Sequence, residues 1–340
     1  MRRSFWSART IGVRGAFLLV TAVSLYLLLP SLLEVFTSWR SLLDVEVGWV
    51  ALALVFVAAS FVSTWALQRL AVGSKDWFTV ATSQLAGNAL GRILPGGMAT
   101  AGALQYRMLV RAGVPGGRVA SGVAASSALL FATLLGLPVL AVPAVLSGRR
   151  IDDVLARSVW FGAVAFLLVA AVAVMAFGFN RPLRFVGRVA GALAGRIPSL
   201  GPRADGLPEH LIRERNAIRS ALGRGWKVAV VASVAKWLFD YLALVASLFA
   251  VGVEPRPSAV LLAYVTASLL GMLPFTPGGL GFVEAGLTAT LALAGVGAGA
   301  AVVATLTYRL VSFWLPIPAG LVAYGLFRRR YGGPPATATT

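Results

Sequence analysis

Cysteine is absent from this sequence of 340 residues, and His210 is its single histidine. The absence of cysteine excludes disulfide bonds and thiolate metal sites, and one histidine removes most zinc and catalytic-triad chemistry. We therefore expect neither a metal ion nor another cofactor. Charged residues are scarce as well: they make up 12% of the chain, whereas a soluble domain carries about 25%.

Apolar residues take the place of the missing charges. They account for 58% of the chain, and the mean hydropathy is +0.83. So few charges could not cover a soluble fold of this composition, so lipid must be the solvent for most of the chain. Because helices satisfy their backbone hydrogen bonds within one segment, the composition predicts an all-α polytopic membrane protein.

Six stretches are long enough to cross a bilayer, which takes about 20 apolar residues in a helix. The predicted spans are Ile11–Leu33, Gly48–Leu67, Val119–Leu146, Ser158–Phe179, Val228–Val251 and Val302–Phe327. The run that begins at Ile11 is too long for a usual signal peptide, so we interpret it as a retained first helix.

Two further stretches, Trp77–Ala112 and Ser258–Ala294, each consist of two shorter apolar arms separated by Pro-Gly-Gly. We predict a helical hairpin that dips into the membrane at each. A hairpin returns to the side on which it started, whether its tip stops midway or crosses. The fold therefore has six full spans and eight to ten helices in total.

Basic residues set the orientation, because cytoplasmic loops carry an excess of Lys and Arg. With the N-terminus inside, 22 of the 30 basic residues lie on the cytoplasmic side, five lie outside and three fall at membrane depth. This distribution predicts a plasma-membrane protein with both termini in the cytoplasm. It also explains the net charge of +18 without nucleic acid.

Outside the predicted spans and hairpins, the only sizeable polar segment is one loop. Residues 180–227 form a basic cytoplasmic loop, in which Leu211–Leu222 is either an amphipathic surface helix or part of a solvated linker. Residues 331–340 are a predicted disordered tail. The remainder, residues 1–330, is a single transmembrane domain.

The two hairpins resemble each other in sequence. Pro95–Val114 and Pro277–Val296 match at eight of 20 positions without a gap, beginning with Pro-Gly-Gly and ending with Ala-Gly-Val in both. By the charge count, the first hairpin enters from the cytoplasm and the second from outside. We therefore predict an inverted-topology repeat with halves of about 48–146 and 228–327, an arrangement typical of transporters.

Ionisable residues at membrane depth are costly and should face a cavity or a partner. Five are predicted there: Arg92, Lys236, Asp240, Glu284 and Arg309. Lys236 and Asp240 are four residues apart and form either a structural pair or part of a site. Glu284 either caps the helix after the second break or pairs with Arg309 across the fold.

Each Pro-Gly-Gly break should also expose the N–H groups of a new helix N-terminus, where an anion can bind. The break residues are Pro95, Gly96, Gly97, Pro277, Gly278 and Gly279. Asn88 lies close to Arg92 before the first break. The spacings Gly87/Gly91, Gly113/Gly117 and Gly295/Gly299 predict close helix packing.

The segment Leu273–Glu284, together with Tyr308-Arg309-Leu310 and Trp314-Leu315-Pro316, resembles the lysylphosphatidylglycerol synthase transmembrane-region family. Asn88–Gly97, with Arg107 after it, resembles that family's upstream motif. The resemblance implies a flippase-like fold with Glu284 and Arg309 at the family's acidic and basic positions. Synthase members carry a soluble aminoacyl-transferring domain after the membrane part, which we expect this chain to lack.

Three functions fit these features. The first is a flippase that moves an anionic phospholipid or a polyprenyl-phosphate-linked lipid between leaflets, with Asn88, Arg107, the break residues and the five buried ionisable groups as its headgroup site. The second is a membrane transferase, which is disfavoured because no Asp-x-Asp motif or suitable acid pair occurs. The third is a non-catalytic partner of an enzyme that modifies lipids or the cell envelope. We expect no enzymatic activity.

Overall fold

The computed structural model describes residues 45–94, 97–138, 223–272 and 277–332, together with eight isolated positions between 181 and 220. Every regular element in these ranges is helical. In chain order the helices are α1 (Val47–Val72), α2 (Trp77–Ile93), α3 (Gly97–Arg111), α4 (Gly116–Gly136), α5 (Trp226–Ala250), α6 (Pro257–Gly271), α7 (Phe282–Leu293), α8 (Ala298–Arg309) and α9 (Pro316–Tyr331). Short 3-10 turns lie at Gly223–Gly225 and Pro277–Gly279.

Four described helical segments are long and apolar enough to cross a membrane. They are α1, α4, α5 and the continuous rod Ala298–Tyr331, in which the π-helical turns Leu310–Trp314 join α8 to α9. Four of the six predicted spans are thereby confirmed as apolar helices. The predicted spans Ile11–Leu33 and Ser158–Phe179 lie outside the described residues, as do residues 139–146.

The two predicted hairpins are pairs of shorter helices that fold back on each other. Their arms contain 12 to 17 residues. In the first hairpin, a Cβ on Gly91 would lie 2.7 Å from the Gly97 carbonyl oxygen, so only glycine permits the approach of α3 to α2. In the second, a Cβ on Gly279 would lie 3.0 Å from the Gly271 Cα.

Among the described residues, the predicted close helix packing is seen at the Gly87/Gly91 spacing of the first hairpin. Gly87 and Gly91 both lie against the backbone of α3. At the other two spacings no close packing is seen within the described part of the chain, where Gly113, Gly117, Gly295 and Gly299 have no atom within 4 Å of a built Cβ. Gly113 and Gly295 instead permit a positive φ of 90° at the end of a helix.

Helices α1 and α5 run antiparallel and share the largest helix interface of the described residues. At one end, the Glu46 N–H donates to the Ala250 carbonyl at 3.0 Å, and the Trp49 and Phe249 rings stack at 4.8 Å. At the other end, Gly225 lies directly against the Leu70 side chain. These contacts fix the opposite directions of the two helices.

One end of the described bundle is strongly basic. The ends of α1, α3 and α9 and the beginnings of α2, α4 and α5 meet there. In the described ranges this end carries Arg69, Lys75, Arg107, Arg111, Arg118, Lys227, Arg328, Arg329 and Arg330, with Asp76 as its acid. The opposite end carries Glu46, Glu254 and Arg256.

The turns that end the two hairpins have the same backbone geometry, although α7 begins three aligned positions later after its break than α3 does. Gly113 and Gly295 both have φ 90°. The Val114 N–H donates to the Leu109 carbonyl and the Val296 N–H to the Leu291 carbonyl, each at 3.1 Å. The next helices begin at Gly116 and Ala298, which are also 182 residues apart. The sequence match therefore corresponds to a matching helix–turn–helix structure.

The outer surface of the described helices is apolar. Val228, Val231, Leu321 and Val322 are each about 60% exposed, at 60%, 66%, 59% and 62%. Exposed aliphatic side chains on this scale would be unfavourable in water, and they match the acyl chains of a bilayer.

Two predictions concern the chain outside the bundle. The described positions Glu209, Arg213, Asn216 and Ser220 are helical and exposed. The positions between them lie outside the described residues, so the choice between a surface helix and a linker stays a prediction. Helix α9 extends to Tyr331, one residue into the predicted tail, and residues 333–340 lie outside the described part.

Candidate functional site

A cavity of about 700 Å³ lies between the two hairpins and helices α1, α4, α5 and α8. Its lining combines apolar side chains with a small set of polar and ionisable ones, as ligand sites do. The polar groups that matter below are Asn88, Arg92, Lys236, Asp240, Tyr308 and Arg309. The tip glycines Gly97, Gly278 and Gly279 also line it.

Arg309 at the end of α8 and Glu284 in the first turn of α7 form a buried ion pair. The Arg309 Nε donates to the Glu284 Oε1 at 2.7 Å, and the two side chains are 9% and 11% exposed. The other carboxylate oxygen, Oε2, accepts the Gly281 N–H at 2.7 Å. Glu284 therefore both caps α7 and pairs with Arg309, so the two alternatives left open by the sequence are realised together.

This arrangement changes the predicted role of the second break. The N-terminus of α7 does bind an anion, as predicted, but the anion is the protein's own carboxylate. The guanidinium is not fully used, because Arg309 Nη2 is buried and has no hydrogen-bond partner among the described residues. Arg309 is also one of the residues that line the cavity.

Arg92, in the last turn of α2, is held by backbone oxygens and not by a carboxylate. Its Nη1 donates to the carbonyls of Ser312 at 2.7 Å and Phe313 at 2.5 Å. Both carbonyls belong to the π-helical segment, and Pro316 has no N–H for the Ser312 carbonyl four residues earlier. The break in the last rod thus supplies acceptors for a cation from the first hairpin.

Phe313 brings the two guanidiniums and the second hairpin together. The Cζ atoms of Arg92 and Arg309 lie 4.8 Å and 4.1 Å from the centre of its ring, within cation–π range. A Cβ on Gly278 would lie 2.4 Å from the same ring and 3.4 Å from the Arg92 Cα. The tips of the hairpins therefore meet at this aromatic ring.

A second charged group lies on α5. Lys236 Nζ is 3.4 Å from Asp240 Oδ2, which confirms the predicted pair. The same oxygen accepts the Tyr264 hydroxyl at 2.8 Å. Lys236 Nζ also lies 3.2 Å from the centre of the Trp237 ring. Both members of this pair line the cavity and are less than a fifth exposed.

The cavity has an excess of positive charge. Lys236 is paired with Asp240 and Arg309 with Glu284, which leaves Arg92 with only neutral carbonyl partners among the described residues. The charges of Arg92 and Arg309 repel each other, and Asp240 attracts Arg92. Three cations against two carboxylates give this part of the site a net charge of +1.

The remaining predicted residues occupy different positions. Asn88 lines the cavity, and its Oδ1 is buried without a hydrogen-bond partner among the described residues. Pro277 begins the 3-10 turn at the second tip. Pro95 and Gly96 lie outside the described residues. Arg107 is exposed on α3 and does not line the cavity, so its role in headgroup binding remains a prediction.

Sequence reasoning missed the aromatic part of the site: Trp237, Tyr264, Tyr308 and Phe313. Trp237 and Tyr308 are directly next to predicted ionisable residues, and Phe313 lies one helical turn after Arg309. The positions of these three aromatic residues relative to the ionisable residues were therefore visible in the sequence. Within the described part of the chain no cluster of three or more His, Cys, Asp or Glu side chains could hold a metal ion.

The geometry can be compared with known proteins. The family model described as "Lysylphosphatidylglycerol synthase TM region" matches residues 15–320. The chain belongs to this family. The match covers both hairpins, the cavity and the first five residues of α9, so the resemblance seen in the sequence motifs is confirmed.

Curated relatives of this transmembrane-region family include proteins from Methanothermobacter thermautotrophicus that are named UPF0104 membrane proteins. One is 34% identical over 91 residues, which is 27% of this chain and 26% of the relative. Another is 33% identical over 95 residues, or 28% of each chain. The matched part thus spans about a quarter of the relatives' length. These names identify membrane proteins and carry no activity.

Proposed function

We propose that this protein binds the headgroup of an anionic lipid in the cavity and moves that lipid between the leaflets of the membrane. The observation that supports this most directly is the uncompensated positive charge of Arg92 in a cavity open between two helix hairpins. A buried cation is costly in a membrane and is typical of a substrate pathway. A lipid phosphate would neutralise it.

The matched hairpins suggest how the lipid moves. We propose that residues of about 48–146 and 228–327 form an inverted-topology repeat with the cavity at their interface. The antiparallel packing of α1 and α5 and the shared turns at Gly113 and Gly295 support this repeat. In such folds the two halves exchange conformations, which opens the same site to one side and then the other.

The basic end of the bundle gives the orientation. In the described ranges nine of the surface cations lie at that end, and Arg256 lies at the other. We propose that the basic end faces the cytoplasm of a plasma-membrane protein, and that both termini lie on that side. The first hairpin then enters from the cytoplasm, and the second enters from outside. Both hairpins are proposed to be re-entrant.

Binding can be tested by native mass spectrometry of the purified protein with its co-purifying lipids. We expect the wild type to retain an anionic lipid and Arg92→Ala and Arg309→Ala to lose it. Arg329→Ala is the matched control, because Arg329 lies on the same rod, is exposed and does not line the cavity. Equal lipid retention in all four proteins would contradict the proposed site.

Transport can be tested separately in reconstituted vesicles that contain a fluorescent phosphatidylglycerol in both leaflets. A membrane-impermeant quencher removes only the outer label, so transport appears as loss of the protected signal. We expect the wild type and Arg329→Ala to transport, and Arg92→Ala and Glu284→Gln to transport at least about tenfold more slowly, which corresponds to about 1.4 kcal/mol. Unchanged rates in both cavity variants would reject the proposal.

A second candidate function is that of a non-catalytic membrane partner of a lipid- or envelope-modifying enzyme. It is favoured by the family description, in which the membrane region belongs to a synthase. The transport assay distinguishes the two functions, since it contains the purified protein alone. A protein that binds anionic lipid but does not transport it would favour the partner function.

A further inference from the structure

The Glu284 carboxylate accepts hydrogen bonds from two donors that could otherwise bind a lipid phosphate. Its oxygens accept the Gly281 N–H at the start of α7 and the Arg309 Nε, each at 2.7 Å. A helix N-terminus beside a guanidinium is a common anion site. Glu284 is therefore an internal anion, already bound where a phosphate could bind.

The site around Glu284 is not satisfied by this carboxylate alone. Arg309 is only 8% exposed, yet its Nη2 has no hydrogen-bond partner among the described residues. A carboxylate offers two oxygens, and both are already in use. The two charged oxygens of a lipid phosphodiester could instead bond Nε and Nη2 together as a bidentate pair.

The tip directly before α7 is rich in glycine. Gly278, Gly279 and Gly281 all have positive φ, at 59°, 72° and 83°, and this conformation is readily accessible only to glycine. The segment from Gly278 to Gly281 also lines the cavity through two of these glycines. Glu284 lies in the first turn of α7, so a rotation of its side chain would withdraw the carboxylate from Arg309 without unfolding the helix.

We infer that the anionic lipid displaces Glu284 from Arg309, and that the released Glu284 carboxylate takes up one proton from water. This inference rests on the proposed function. The proton is required because the displaced carboxylate would otherwise be an unpaired charge inside the membrane. The exchange is balanced: one lipid anion replaces one carboxylate anion, and the carboxylate becomes a neutral acid.

No other group around the tip replaces Glu284 in this exchange. The titratable and charged groups that line the same cavity are Arg92 on α2, Lys236 and Asp240 on α5, Tyr264 on α6, and Tyr308 and Arg309 on α8. Asp240 is the other carboxylate, and it accepts from Lys236 and Tyr264. It does not contact Arg309 or the N-terminus of α7.

The test is the affinity of the wild type in detergent for short-chain phosphatidylglycerol between pH 5.5 and pH 8. This phosphodiester keeps one negative charge throughout the range. Because one proton is bound with each lipid, the wild-type affinity should fall by up to about tenfold for each pH unit of increase. In Glu284→Gln the affinity should not depend on pH, since the amide carries no titrating charge.

Glu254→Gln is the matched control, because Glu254 is exposed and does not line the cavity, and its affinity should keep the wild-type pH slope. Proton release or uptake measured in weakly buffered wild-type protein gives a second test that needs no variant, with about one proton taken up per lipid bound. A pH-independent wild-type affinity, or the same slope in Glu284→Gln, overturns the exchange and leaves the proposed function standing. An absence of phosphatidylglycerol binding at every pH overturns both.

Discussion

The two hairpins end in the same turns, but different kinds of side-chain contact join them to the neighbouring helices. In the first, neutral side chains join the hairpin to α1: Gln105 Nε2 donates to Gln68 Oε1 at 2.6 Å, and Trp65 Nε1 donates to Gln84 Oε1 at 3.0 Å. In the second, the buried contact is the ion pair of Glu284 and Arg309. The positions 182 residues earlier are Gly102 and Ser127, which cannot form such a pair.

This difference indicates where the fold is general and where it is specialised. The positive-φ glycines, the turns and the starts of the following helices recur in both segments, so they determine the backbone conformation. The ionisable groups do not recur, so they are not needed for the hairpin itself. The second segment contributes the internal anion, and the first contributes the uncompensated cation Arg92.

The largest expected effect comes from removing one member of the ion pair. Arg309→Ala leaves the Glu284 charge buried, and we expect it to lower the free energy of unfolding by about 3–5 kcal/mol. Ser127→Ala at the corresponding position of α4 should change it by less than about 0.5 kcal/mol. Unfolding in detergent, followed by intrinsic fluorescence, measures both.

A double variant separates lost attraction from stranded charge. Glu284→Gln combined with Arg309→Met has no unpaired charge, and it should recover at least half of the loss seen in Arg309→Ala. If the double variant is as unstable as the single one, packing and not charge dominates this site. The difference between the two segments would then be one of side-chain volume and not of charge.

The next largest effect concerns the second tip. Gly278→Ala places a Cβ 2.4 Å from the Phe313 ring in a residue with φ 59°. We expect a loss of about 2–4 kcal/mol, of which about 1–2 kcal/mol is backbone strain and the remainder overpacking. Lipid binding should weaken as well, because both guanidiniums lie over this ring.

Gly97→Ala at the first tip is the control for backbone strain. Gly97 also has a positive φ, of 42°, but the nearest atom to its built Cβ is 3.9 Å away. Gly97→Ala should therefore lower the free energy of unfolding through backbone strain alone, without a contribution from overpacking. Equal losses in Gly278→Ala and Gly97→Ala would show that the contact with Phe313 contributes nothing to stability.

Much of this fold is predictable from composition and chain breaks. Lipid requires long apolar helices, so the positions of α1, α4, α5 and the last rod follow from hydropathy. The Pro-Gly-Gly segments locate the hairpin tips because proline and glycine end helices. The pair of Glu284 and Arg309 was predictable because few opposite charges lie at membrane depth.

Contacts that depend on tertiary packing were not predictable. Arg92 bonds two carbonyls of the π-helical segment before Pro316, and no local pattern places that segment beside α2. The spacing Gly295/Gly299 has the same sequence pattern as Gly87/Gly91, yet only the latter lies against another helix. A spacing rule describes one helix face and does not identify its neighbour.

A smaller effect tests whether the two turns are equivalent. Gly113→Ala and Gly295→Ala both place a side chain at φ 90° with open space around it. We expect each to lower the free energy of unfolding by about 1–2 kcal/mol, from backbone strain alone. The two losses should agree within about 0.5 kcal/mol if the segments have the same structure in the membrane. A clear difference would weaken the repeat.

The smallest expected effect concerns how each hairpin begins. Asp76 caps α2: its Oδ1 accepts the Phe78 N–H at 3.0 Å, and its Oδ2 accepts the hydroxyls of Thr79 at 2.6 Å and Tyr331 at 3.2 Å. The residue before α6, Arg256, makes no side-chain cap. Only the first hairpin is therefore tied at its start to the end of the last rod.

These bonds give Asp76 a pH dependence with a defined sign. The hydrogen bond from Thr79, assisted by the Phe78 N–H, Tyr331 and nearby Arg330, holds the pKa of Asp76 below its ordinary value of 3.8. A carboxyl with a lowered pKa stabilises the fold above the unfolded pKa, and this stability is lost as the pH falls through the folded pKa. Asp76→Asn keeps an N-cap but removes the charge.

The side chain of Asp76 is 38% exposed, so water and salt screen the charge and the contribution should be only about 0.5 kcal/mol or less. The wild type should be more stable than Asp76→Asn at pH 6, and the difference should shrink as the pH falls below the ordinary pKa of 3.8. Because Tyr331 closes the last rod onto α2, the same variant should increase hydrogen exchange at the beginning of α2 and the end of α9. An unchanged exchange pattern in Asp76→Asn would mean that Gly320, whose built Cβ lies 2.4 Å from the Leu85 carbonyl oxygen, holds these helices together without the polar contact.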